Sequence, residues 1–147
     1  MKDKVQQETS VAGRSETAKP ALQRNARLVA VVVAYLFVAC IVIQVFLAGM
    51  AIFVDQLDWS KHRSFIHVFE FLPIVLLIAS FIGKMPTAMR WMSAGMYVVI
   101  ILQYATASFG SSLSGASAAH PVLAMLLFWM AVVFANRSLA QWKAARK

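Results

Sequence analysis

From Leu28 to Val54 the chain carries no charged side chain. That run exceeds the roughly 20 residues an α-helix needs to cross a bilayer. In a chain of 147 residues it leaves little room for a soluble core. Three further apolar stretches follow, over about 64–83, 90–108 and 118–137. Helix punctuation bounds them: Asp58 stands as an N-cap before the second, Gly83-Lys84-Met85-Pro86 stops it, and Pro121 sits in the first turn of the fourth. A small-residue loop from Phe109 to Ser117 closes the third.

Composition points the same way. Hydrophobic residues make up 61% and charged residues 14%, against roughly 45–50% and about 25% in soluble domains. Ten Phe and four Trp among so few charges would leave large apolar patches in water. These proportions exclude an ordinary soluble enzyme and a disordered chain, and the single cysteine, Cys40, excludes a disulfide framework. The fold read from them is an all-α membrane protein, an up-down-up-down bundle of four transmembrane helices. Its membrane domain spans 28–139, with crossings at about 28–54, 64–83, 90–108 and 118–137. A flexible tail, 1–27, precedes it and a short basic tail, 140–147, follows. The first crossing is too long for the apolar region of a cleavable leader, about 7–15 residues, so it is read as retained.

A net charge of +8 raises the question of an acidic partner. Position answers it. Twelve of the fourteen Lys and Arg residues fall on one side of the bundle, in the N-terminal tail, at Lys84 and Arg90, and from Arg137 onward; only Lys61 and Arg63 fall on the other. The positive-inside rule then places both termini in the cytoplasm of a bacterial inner membrane. The partner implied is the lipid bilayer, together with a second copy or a membrane redox partner, and no nucleic acid.

The polar intrusions into the crossings gather toward the opposite, outer side: Gln44, His67, Glu70, Gln103, Tyr104, Thr106 and His120. A carboxylate at Glu70 costs on the order of 2–3 kcal/mol inside a bilayer and calls for a partner. Arg63, His67 and Glu70 stand at i, i+4 and i+7 and share one helical stripe, whereas His62 lies about 140° round from His67. Pro73 removes the hydrogen bond to the Phe69 carbonyl and favours a kink just below.

Two imidazoles on different helices at similar depth suit a six-coordinate haem iron, which makes His67 and His120 the candidate axial ligands of a b-type haem. Arg63 then meets a propionate, with Gln103, Tyr104, Phe69 and Phe71 lining the slot. Glu70 enters the ligand set only for a non-haem metal, where two His and a carboxylate suit zinc or iron. The plainer alternative has no cofactor: a non-enzymatic membrane subunit or small-ligand binder in which Gln44 with Gln103, and Glu70 with Arg63 or His67, join helices. No GxSxG, HExxH, phosphate loop or nucleotide fingerprint occurs, so no stand-alone catalytic activity is read.

The string Trp59 to Pro73 (WSKHRSFIHVFEFLP), the segment Leu102 to Thr106 (LQYAT) and the start of the fourth helix, His120 to Ala124 (HPVLA), resemble a family of small uncharacterised four-helix bacterial membrane proteins over about residues 44–135. More distantly, His62-Arg63 at the outer end of a second helix, with His120 opening a fourth, is similar to one half of haem A synthase and to other four-helix b-type cytochromes. In those proteins paired histidines near the outer face hold haem. The resemblance implies His67 and His120 here, with His62 as the competing candidate. The chain lacks a second four-helix half and a catalytic acid near His62, so oxidation of haem as a substrate is not implied.

Overall fold

The computed structural model describes residues 2–109 and 115–146, so most of the small-residue loop lies outside the described residues. Among the described residues five helices are formed: α1 Lys2–Phe53, α2 Trp59–Phe69, α3 Leu72–Ile82, α4 Thr87–Phe109 and α5 Ala119–Ala144. Short 3-10 turns, Gln56–Asp58 and Ala116–Ala118, lead into α2 and α5. Helices α2 and α3 make one interrupted rod, giving four rods in all. Three stretches, Ala21–Phe53, Gln56–Ile82 and Ala116–Ala144, are long and apolar enough to cross a membrane. The fourth rod, α4, has 23 residues, about 34 Å at 1.5 Å per residue.

The boundaries shift outward from those the sequence suggests. Residues 2–27, expected as a tail, are helical and continuous with the first crossing, and α5 runs on through the expected tail at 140–144. The segment expected as a loop before residue 64 is already helical from Trp59. Helix nucleation is costly and propagation is not, so a helix started by an apolar core extends readily into flanks rich in Ala, Gln, Lys and Arg.

The interruption between α2 and α3 is the one Pro73 demands. The ladder reaches Glu70, whose N–H donates to Ile66 O at 2.9 Å, and restarts with Val75 N–H on Phe71 O at 3.2 Å. Pro73, at the first turn of α3, has no N–H to offer Phe69. Asp58 holds the N-cap position of α2 without capping it. Its carboxylate pairs with Lys61 at 2.6 Å, and the neighbouring Asp55 takes the capping role, accepting from Leu57 N–H at 2.9 Å.

Helix α1 packs on α5 and α3, and α4 packs on α3 and α5, so the four rods close into a ring. Phe37, Phe69, Phe134, Leu76, Met85, Met89, Met96 and Ile100 fill its centre. The outside carries large apolar side chains such as Val32, Phe46, Phe81, Trp91, Met125 and Trp129. In lipid such a surface costs nothing, but burying more of it gains little, so close packing must hold the helices together. Small residues allow that. Ser80, Ser93 and Ser138 are wholly buried, and each hydroxyl donates to the carbonyl four residues back, at 2.7, 3.0 and 2.9 Å. Among the described residues no buried hydroxyl is left unpaired where α3, α4 and α5 approach.

Arg27 ties one end of the ring. Its Nε donates to Gly83 O at 2.8 Å and its Nη1 to Gln141 O at 3.3 Å, joining α1 to the C-terminal ends of α3 and α5, where helix dipoles favour a cation. Gly83 stands at the C-cap of α3 with ordinary helical φ. A Cβ there would lie 2.9 Å from Ala79 O and 3.1 Å from Arg27 Cγ. The glycine therefore admits α1 rather than supplying a left-handed turn. Lys84 takes the left-handed position, at φ 47°, completing a Schellman stop in which Met85 N–H donates to Ser80 O at 2.9 Å and Lys84 N–H to Phe81 O at 3.2 Å.

Two substitutions separate these roles. Gly83→Ala should lower stability by about 1–2 kcal/mol through overpacking against the Ala79 carbonyl and Arg27. Lys84→Gly should raise it by about 0.5–1 kcal/mol by relieving the left-handed backbone. Thermal melting in detergent reads both, and opposite signs are required; two losses would show that Lys84 is not under strain.

Candidate functional site

The end of the ring opposite Arg27 is built by continuation of the core stripes. On α1 the buried residues Ala30, Ala34, Phe37 and Ile41 recur at helical spacing, and the next position of that stripe is Gln44. On α4 the stripe Met89, Ser93, Met96, Ile100 continues to Gln103. On α2 Phe69, Ile66 and Phe65 lead back to His62, and on α5 Phe134, Ala131 and Leu127 lead back to His120. Four core-facing stripes thus turn polar at the same end, and their last members meet.

Two braced histidines result. His62 Nδ1 donates to Gln44 O at 3.0 Å. The Gln44 amide Nε2 donates in return to His62 O at 2.9 Å and lies 3.3 Å from His62 Nε2. The carbonyl fixes the His62 proton on Nδ1 and leaves Nε2 with its lone pair. His120 Nδ1 lies 3.1 Å from Gln103 O and 3.2 Å from Thr106 Oγ1. The Gln103 amide, its orientation assigned from its partners, accepts from Ala124 N–H at 2.8 Å and presents Nε2 to His120 Nδ1 at 2.8 Å. That nitrogen faces a carbonyl that accepts and an amide that donates. A proton on Nδ1 suits the Gln103 carbonyl, and a proton on Nε2 suits the Gln103 amide.

The two imidazoles face one another with ring centres 6.4 Å apart and planes inclined by 59°. Trp59 packs edge-on against His62 at 5.5 Å. Gln44 Oε1 is buried with no hydrogen-bond partner among the described residues, an acceptor that a bound group or a water would satisfy.

A second cluster sits around the α2–α3 break. His67 Nδ1 lies 3.2 Å from Glu70 Oε1 and 3.3 Å from Tyr104 OH, and the Tyr104 hydroxyl donates to Glu70 Oε2 in a short hydrogen bond. The His67 and Tyr104 rings stack at 6.1 Å and 25°. The His67 side chain is 63% exposed and that of Glu70 16%.

These positions revise the pairing expected from sequence. His120 faces His62, not His67, because the core stripe of α2 passes through residue 62, about 140° from residue 67. Gln103 joins the His120 side as expected, whereas Tyr104 belongs with His67 and Glu70. Gln44 binds His62 rather than Gln103. Phe69 is buried against Phe37 at 5.9 Å and lines no slot, Phe71 is turned outward, and Arg63 is exposed. Among the described residues no three His, Cys, Asp or Glu side chains come together as a metal site, so His67, Glu70 and His120 do not form the non-haem triad considered from sequence. Spacing alone does not single out Thr106 or His62; the signal for His62 is its place one turn before Phe65 and Ile66.

Residues 44–110 match DUF6220, a family of unknown function. The match begins at Gln44 and takes in His62, the His67–Glu70–Tyr104 cluster and Gln103, and it stops short of His120. No curated protein and no solved structure matches the chain. The DUF6220 match brings no activity with it and no likeness to haem A synthase or a cytochrome.

Proposed function

We propose that this multi-pass membrane protein binds a b-type haem between α2 and α5, with His62 and His120 as axial ligands, and serves electron transfer or haem handling. The bundle is then up-down-up-down with both termini cytoplasmic, the sense favoured by the twelve basic residues at the Arg27 side. The single observation that carries the reading is the bracing of His62 beside a second imidazole. Imidazoles that ligate metals donate their other ring N–H to a carbonyl or carboxylate, which fixes the tautomer and the ring. His62 does so to Gln44 O, and His120 has Gln103 O in reach for the same bond. The two ring centres lie 6.4 Å apart, so both residues would be within reach of one bound group. Arg63, exposed beside His62, is the candidate for a propionate. Bound haem would supply one-electron chemistry; the protein's part is to orient the two rings and set the polarity around them.

A second reading has its own observation. With the Gln103 amide donating to His120 Nδ1 at 2.8 Å and the Gln44 amide beside His62 Nε2, the cluster largely satisfies itself and joins four helices in a membrane subunit without a cofactor. One measurement decides: the chain is expressed with ample haem, purified in mild detergent, and its reduced-minus-oxidised spectrum recorded. A Soret band and low-spin α-band support the haem site; their absence leaves the joining role.

A further inference from the structure

The turn joining α3 to α4 carries cations that no carboxylate answers. From residue 21 onward the acidic side chains are Asp55, Asp58 and Glu70, and all three lie toward the histidine end of the ring, so Lys84 and Arg90 have none beside them. Arg27, at the same end, is occupied by the carbonyls of Gly83 and Gln141. Arg90 makes no ion pair among the described residues, and its Nε is buried without a hydrogen-bond partner. A guanidinium left so at a half-buried position is costly unless something outside the chain accepts from it.

Arg90 is nonetheless held in place. Its guanidinium lies over the Phe81 ring, 4.6 Å from the ring centre, a cation–π contact that fixes its plane. A guanidinium fixed flat keeps its remaining N–H groups for an acceptor with two oxygens, such as a phosphate. The depth suits a phosphate that belongs to lipid. The apolar crossing segment Gln56–Ile82 ends one residue past Phe81, and Lys84 is exposed in the turn that follows. Trp91, next to Arg90, is 74% exposed, as an indole at the headgroup level is. Helix α4 starts at Thr87, so the positive end of its dipole lies at the same level. Below the turn, Ile78 and Ile82 of α3 are exposed and apolar, a track for acyl chains.

The geometry points to a site for the headgroup phosphate of an anionic phospholipid, held by Arg90 on its Phe81 platform with Lys84 as a second charge. One residue carries it, which separates it from the general attraction between basic flanks and an acidic leaflet. The site does not depend on the haem reading. The full-length chain, purified in a neutral detergent, is titrated with radiolabelled phosphatidylglycerol and, in parallel, phosphatidylcholine. Saturable binding of phosphatidylglycerol is expected, with phosphatidylcholine bound about tenfold more weakly. Arg90→Gln should weaken phosphatidylglycerol binding about tenfold, whereas Arg24→Gln and Lys143→Gln, which each remove one charge from an exposed position at the same end, should change it less than about twofold. Arg90→Lys keeps the charge without the planar fork and should recover only part, and it carries the test if the Gln variant does not fold. Equal affinity for the two lipids, equal loss in Arg90→Gln and the two control variants, full binding by Arg90→Lys, or displacement of the lipid by millimolar inorganic phosphate overturns the site.

Discussion

His62→Ala and His120→Ala are each expected to reduce haem retained per chain by more than about tenfold, while His67→Ala leaves it near the wild-type level. The contrast follows from register. His62 and His120 face each other at 6.4 Å, whereas His67 is stacked on Tyr104 outside the ring. Altering groups that merely orient a metal ligand costs 10–100-fold in affinity, so losing a ligand should cost at least as much. The reduced-minus-oxidised spectrum of each purified variant reads the effect. Equal loss in all three would mean that the variants perturb folding rather than ligation. Loss in His67→Ala and His120→Ala, with His62→Ala silent, would return the site to the pairing expected from sequence. Gln44→Leu adds a graded case, since it keeps the backbone carbonyl that holds His62 Nδ1 and removes only the amide.

The second large effect concerns stability. Arg27→Met should cost about 3 kcal/mol, because two hydrogen bonds from a charged group, each worth roughly 1.5–3 kcal/mol net, are lost, and the longer one, to Gln141 O, keeps the sum at the low end. Met keeps an apolar stem against Gly83, so the loss isolates the guanidinium from packing. Thermal or denaturant unfolding in detergent measures it. An Arg27→Lys variant should recover only part, since an ammonium cannot span both carbonyls with a rigid fork. Full recovery by Lys would show that charge at the helix ends, rather than the two-pronged geometry, is what counts.

Much of this protein is legible in the chain itself. A run without charge from Leu28 to Val54 can only be satisfied in lipid as a helix, because every backbone group must find its partner internally. Pro73 announces its own break, and the Gly83–Pro86 stop lies where the residues say it should, though the strained position falls on Lys84 rather than on glycine. The flanks were harder to read. Polar residues 2–27 bury too little to suggest order, yet helix propagation from a stable neighbour asks for no burial.

The functional end shows where local reasoning stops. His67 and Glu70 attract notice because they are neighbours on one stripe, and they do bond to each other at 3.2 Å. That stripe faces outward. Which stripe of α2 faces the core depends on how the helix is rotated about its axis, and that rotation is set by Phe65, Ile66 and Phe69 packing against α1. The apolar period did contain the answer, since extending each buried stripe by one turn reaches Gln44, His62, Gln103 and His120, but four stripes had to be read together.

The sequence by itself determined the membrane setting, the helical class, the break at Pro73 and the concentration of polar side chains at one end, because desolvation of charge and backbone geometry are local and leave no alternative. Only the tertiary structure decided that His62 rather than His67 meets His120, that Tyr104 completes a separate outward-facing cluster, and that Arg27 closes the far end. Those outcomes depend on the rotation and spacing of whole helices, which the packing of many side chains sets jointly and no single segment encodes.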